Sequence, residues 1–96
     1  MPTSELLPEF HRDHALLAEE QKREFRLAVK KLVVDLRRGQ LRASLRIKAV
    51  QGHPGIFEMT WGGSGRATFD YGTPRKPGQP HVRWRRIGGH EIFKNP

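Results

Sequence analysis

Near its C-terminus the chain reads His81-Val82-Arg83-Trp84-Arg85-Arg86-Ile87-Gly88-Gly89-His90-Glu91-Ile92-Phe93. In an extended strand Val82 and Trp84 point one way while Arg83 and Arg85 point the other, so one strand presents an apolar face and a cationic face. The Gly88-Gly89 pair breaks that strand and sets His90 at the rim of the surface the arginines line. Arginine binds phosphate through a planar fork, and histidine as a residue type exchanges a proton near neutral pH. Side by side they suit proton transfer next to a bound polyanion. From the residues alone, a histidine in that place is more often a cap of the final turn than a catalyst.

The composition agrees with an anionic partner. Eighteen Lys and Arg stand against ten Asp and Glu, giving a formal net charge of +8 and a sequence pI near 10.9. Nucleic acid leads among the partners this implies, although excess charge also serves solubility. There is no cysteine, which excludes disulfides and cysteine-based zinc sites. His11 and His14 share a helix face without further ligands, so no metal site is expected; His53 and His81 read as structural or incidental. No apolar run approaches membrane length, and Met1 to Pro8 lacks the basic start of a secretory signal. The expectation is a cytoplasmic chain without a membrane partner, folded as a single domain over residues 1–96.

Two helices and four strands must position these residues. Pro8 suits a first helical turn, with Phe10, His14 and Leu17 on one side. A longer helix is expected from Glu19 to Arg38, where Phe25, Ala28, Val29, Leu32, Val33 and Leu36 form a stripe and Gly39 follows as a C-cap. From Leu45 the period becomes two. Leu45, Ile47 and Ala49 alternate with Arg46 and Lys48; Phe57, Met59 and Trp61 alternate with Glu58 and Thr60; Ala67, Phe69 and Tyr71 alternate with Arg66, Thr68 and Asp70. The glycines at 62, 63 and 65 mark a hairpin, not a phosphate loop. The reading is an α+β fold, with two N-terminal helices packed on one face of a four-stranded, mainly antiparallel sheet. Leu45, Ile47, Phe57, Met59, Trp61, Phe69, Tyr71, Val82 and Trp84 would face the helices. Arg46, Lys48, Glu58, Arg66, Asp70, Arg83 and Arg85 would face away. Alternation puts Arg86 on the wrong side, which a bulge near Gly88 or snorkelling would correct.

This order of elements, with Leu45-Arg46-Ile47-Lys48, Gly55 to Trp61, Gly65 to Gly72 and the Ile87-Gly88-x-His90 ending, resembles the RelE/ParE superfamily of toxins. The likeness spans Pro8 to Phe93. It implies the toxin of a type II toxin–antitoxin pair, held inactive by a cognate antitoxin, and no cofactor. RelE-like members cut messenger RNA on the ribosome; the alternatives are a ParE-like inhibitor of DNA gyrase and a non-catalytic nucleic-acid-binding homologue. Carried over, His90, Lys48, Arg46 and Arg85 become the catalytic candidates, and Arg46, Lys48, Arg66, Arg83, Arg85 and Arg86 the RNA-binding set. Phe57 stands where such enzymes often have an arginine, and Phe93 near a frequent tyrosine. The family's first strand, ahead of the helices, is short or missing in Met1 to Leu7.

Cleavage by attack of a 2′-hydroxyl on its own 3′-phosphate needs a proton removed, a dianionic phosphorane stabilised and a proton supplied to the leaving oxygen. His90 would supply acid or base. Arg46, Lys48, Arg83 and Arg85 would neutralise the phosphorane, with Lys48 as a second candidate base and Glu58 placed to orient it.

Overall fold

A computed structural model describes residues 2–96. Its elements run β1 (Thr3–Leu6), α1 (Pro8–Ala15), α2 (Glu19–Arg38), a 3₁₀ turn (Ala43–Leu45), β2 (Lys48–Ala49), β3 (Phe57–Trp61), β4 (Gly65–Lys76), β5 (Gln79–Gly88) and a final 3₁₀ turn (His90–Lys94). Helix α2 has the bounds expected from its stripe and its ends. Gln21 reaches back to accept from the Ala18 N–H at 2.8 Å, doing the work of a capping side chain that Ala18 lacks. Gly39 ends the helix with φ 75° and donates its N–H to the Asp35 carbonyl.

The sheet has five strands in the order β1-β5-β4-β3-β2, one more than the four expected. β1 pairs parallel to β5, from Thr3 opposite His81 to Leu6 opposite Trp84, so the sheet is mixed. Nothing in Thr3-Ser4-Glu5-Leu6 announces a strand, because both of its faces remain partly open and no apolar alternation is required. At the other edge the expected strand from Leu45 shrinks. Leu45 is buried at the end of a 3₁₀ turn, Arg46 takes a left-handed conformation with φ 51°, and only Lys48 and Ala49 pair with β3. Left-handed backbone is costly for a side chain larger than glycine, and it turns Arg46 out of the strand.

The core lies where the alternation put it. Phe10, Phe25, Ala28 and Leu32 of the helices meet Met59, Trp61, Ala67, Phe69, Val82, Trp84 and Ile87 of the sheet. The Phe25 ring lies edge-on to Trp61 and Trp84, at centroid distances of 6.1 and 5.2 Å. Phe57 also faces this layer and stacks on Phe69 at 5.7 Å, so its side chain is absent from the cationic face. Tyr71 shares the face but extends past the core and is exposed.

β5 carries one residue more than β4 between two of their pairings. Thr68 pairs with Arg86 and Phe69 with Trp84, which leaves Arg85 as a bulge. The bulge lies three residues before Gly88, where one was expected, and it reverses the phase of everything after it. Ile87 therefore enters the core, opposite Ala67, and Arg86 leaves it.

A buried ion pair closes the chain after α2. The Asp35 carboxylate, 1% exposed, accepts from the Arg42 guanidinium at 2.8 Å on each oxygen and from the Arg42 backbone N–H at 2.9 Å. The guanidinium first, and that N–H second, hold the carboxyl down to about 2, against the opposing effect of burial. The stability this contributes is complete above the ordinary value of 3.8 and is lost as pH falls through about 2. Acid unfolding followed by circular dichroism should show that limb in the native chain. Asp35→Asn should be less stable at pH 7 and lose the pH dependence in that window.

Candidate functional site

The face turned away from the helices is built of cross-strand rows in which acids and bases meet. One row runs Lys48, Glu58, Thr68, Arg86; another runs Asp70, Arg83, Glu5. Lys48 lies 3.9 Å from Glu58, and Asp70 receives Arg83 at 3.2 Å and Arg85 at 2.9 Å. The polar face expected to carry Lys48, Arg83 and Arg85 beside Glu58 and Asp70 is thus a lattice of paired charges. Alternation says which face a residue takes; register decides whom it meets there.

The bulge gathers the strongest donors. Arg85 donates to Asp70 and, at 3.3 Å, to the Pro96 backbone oxygen. Arg86 grips both oxygens of Asp13, at 2.6 and 3.2 Å, and donates to the Asn95 carbonyl at 2.9 Å. Asp13 also accepts the Ile87 N–H at 3.1 Å, so one carboxylate at the end of α1 locks the last turn of β5 in place. The Asp13 carboxylate raises the Arg86 pKa above the usual arginine value.

Arg85 and Arg86 border a cleft of about 390 Å³ together with His53, Ile56, Leu7 and Glu9. His53, read from sequence as structural or incidental, is an exposed residue on the turn Gln51-Gly52-His53-Pro54-Gly55, between β2 and β3. Its available signal was a titratable side chain on a tight loop without a packing role. His90 opens the final 3₁₀ turn, exposed, with its ring edge-on to Phe93 at 5.4 Å. The Glu91 carboxylate accepts the Gly89 N–H at 3.0 Å and fixes that turn; the N–H groups of Gly89, then of Glu91 itself, hold its pKa below the ordinary value. Phe93 is the residue that packs against His90.

The remaining candidates are dispersed. Arg66 pairs opposite Gly88, close to the His90 turn, and donates to the Gly65 carbonyl. Lys48 sits exposed on the edge strand, and Arg46 lies outside any strand. Among the described residues no group of three or more His, Cys, Asp or Glu could hold a metal, and no helix is long and apolar enough to cross a membrane.

No family model and no curated protein matches the sequence. Solved structures do match over nearly the whole chain. YafQ of E. coli, crystallised with DinJ, superposes with a TM-score of 0.62 at 17% identity, covering 96% of this chain and 97% of that one. The RelB–RelE antitoxin–toxin complex of Methanococcus jannaschii gives 0.61 at 12% identity, with 94% of each chain covered. A copper-bound mutant toxin from Helicobacter pylori gives 0.60 at 14% identity, covering 95% and 97%. The fold is that of the RelE-like toxins.

Within this RelE-like fold Asp13 supports the whole Arg86 turn. Asp13→Asn should weaken the charge-assisted pair and lower stability by about 1–3 kcal/mol. Denaturant unfolding of the two chains measures the difference.

Proposed function

We propose that this chain is the toxin of a type II toxin–antitoxin pair, and that it cuts messenger RNA on the ribosome as RelE-like enzymes do. The supporting observation is a conjunction. A RelE-like fold spans the chain, and at one end of its polar face two guanidiniums and a histidine border the same cleft, with a second histidine on the adjoining turn. Arg85 and Arg86 bind the scissile phosphate and take up the charge of the phosphorane. His90 and His53 divide the proton transfers, one taking the 2′-hydroxyl proton and the other supplying the leaving 5′-oxygen. Arg66 flanks the His90 turn on the RNA path, and Arg83 continues the path along β5. Arg46 and Lys48, at the edge strand that leads into the His53 turn, contact RNA of the message or the ribosome; they hold substrate and leave the chemistry to the histidines.

Residues 1–96 act as one toxin domain in the cytoplasm, without metal or cofactor. The partner is a cognate antitoxin. With a chain of net charge +8, its chemistry is that of an acidic, amphipathic segment which folds as it covers the basic surface.

Primer extension on a defined messenger in a reconstituted translation system tests the reading. Cuts within codons that require ribosomes are expected, with His90→Ala and His53→Ala each losing roughly 10²- to 10⁴-fold in rate while remaining folded. Arg85→Ala should lose activity as well. Intact transcripts with arrested DNA replication would move the function to gyrase inhibition, and full cleavage by His90→Ala would remove His90 from the site.

A further inference from the structure

A second basic cluster lies beyond that cleft, where β1 meets the hairpin joining β4 to β5. A cleft of about 350 Å³ there is lined by Glu5, Thr73, Pro74, Arg75, His81 and Arg83, around Gly72. Three basic side chains converge on a single oxygen, Glu5 Oε1: His81 Nε2 at 3.0 Å, Arg75 at 3.7 Å and Arg83 at 4.0 Å. The His81 side chain is 3% exposed, and its other nitrogen lies 2.7 Å from the Thr3 hydroxyl. A carboxylate only accepts, so Nε2 carries a proton toward Glu5 and, in the neutral ring, Nδ1 accepts from Thr3. Gly72 makes the convergence possible. A Cβ at that position would stand 2.8 Å from Arg83 Cδ and 3.0 Å from the His81 ring.

Glu5 is the single acid among the residues lining this cleft. Its own side chain is 40% exposed, on a strand of four residues at the sheet edge. The His81 hydrogen bond, ahead of Arg75 and Arg83, keeps its pKa below the ordinary value, so it is charged at neutral pH. Removing that charge leaves the Arg75 guanidinium and the His81 imidazole directed at one point in an open cleft, with Arg83 beside them and held by Asp70 at 3.2 Å. Such convergence suits one phosphate oxygen of a nucleic-acid strand.

We propose that Arg75, His81 and Arg83 form a phosphate subsite for a single-stranded nucleic acid, and that Glu5 is its built-in competitor. The subsite goes beyond the cleavage reading: Arg83 and Arg85 are neighbours on one side of β5, so a strand leaving the cleft can continue along β5 to the hairpin. A bound phosphodiester displaces the Glu5 carboxylate, takes over the His81 hydrogen bond and meets the Arg75 and Arg83 guanidiniums that now stand 3.7 and 4.0 Å from Oε1.

The test is binding, not cleavage. A single-stranded oligodeoxynucleotide lacks the 2′-hydroxyl that cleavage requires, so its anisotropy reports binding whether or not the chain is a ribonuclease, and the Glu5 and Arg75 variants assign the change to this site. Glu5→Gln should bind it roughly three- to tenfold more tightly than the native chain, with a salt slope steeper by about 0.7 for one added phosphate contact. Arg75→Ala, an exposed hairpin substitution, should weaken native binding and, combined with Glu5→Gln, abolish the gain. In the Glu5→Gln chain inorganic phosphate should shift the His81 ring resonances. Unchanged or weaker binding by folded Glu5→Gln, or a gain that survives Arg75→Ala, overturns the subsite. Ring shifts with inorganic phosphate but no gain with the oligonucleotide would make it a site for small free anions and overturn the strand assignment.

Discussion

The extra residue at Arg85 sets the direction of everything after it in β5. Without it, strict alternation would drive Arg86 into the aromatic core and turn Ile87 out to solvent. With it, Ile87 fills the core beside Ala67, and two consecutive arginines reach the polar side. Burying an unpaired guanidinium is far more expensive than accommodating one irregular pair of strands. The bulge follows from that imbalance, and it concentrates donors at the end of the sheet where the chain turns toward His90. Asp13 then locks the result by taking both Arg86 and the Ile87 N–H.

The excess of positive charge is distributed less simply than the count implies. On the polar face Glu5, Glu58 and Asp70 each sit among cations, and Asp13 reaches in from α1. Such pairs add little stability where they are exposed. Their main effect is geometric: each holds a long side chain in one orientation, so that a phosphate meets guanidiniums already aimed. An anionic ligand must compete with these carboxylates, which makes its binding selective for places where several donors converge.

The core face and the long helix were legible in the sequence, because period and burial are coupled within each element. Met59, Trp61, Phe69, Val82 and Trp84 lie where the alternation placed them, and α2 runs from Glu19 to Arg38 with its glycine cap. β1 was not legible, since a four-residue edge strand with both faces partly open has no period to display. Nor was the shortening of β2, where Arg46 adopts a left-handed conformation that no local pattern requires. Phe57 read as a missing arginine; its ring stacks in the core and leaves the cationic face unaltered.

Sequence by itself determined the α+β architecture, the helix-facing side chains of β3, β4 and the first part of β5, and the turn that presents His90, all of which depend on neighbours a few residues apart. Tertiary structure alone decided the parallel docking of β1, the position of the bulge, and the company each charge keeps. Those depend on register between strands distant in the chain. That is why His53 arrives beside Arg85 and Arg86, and why His81, from sequence structural or incidental, is buried against Thr3 and Glu5 from the opposite end of the chain.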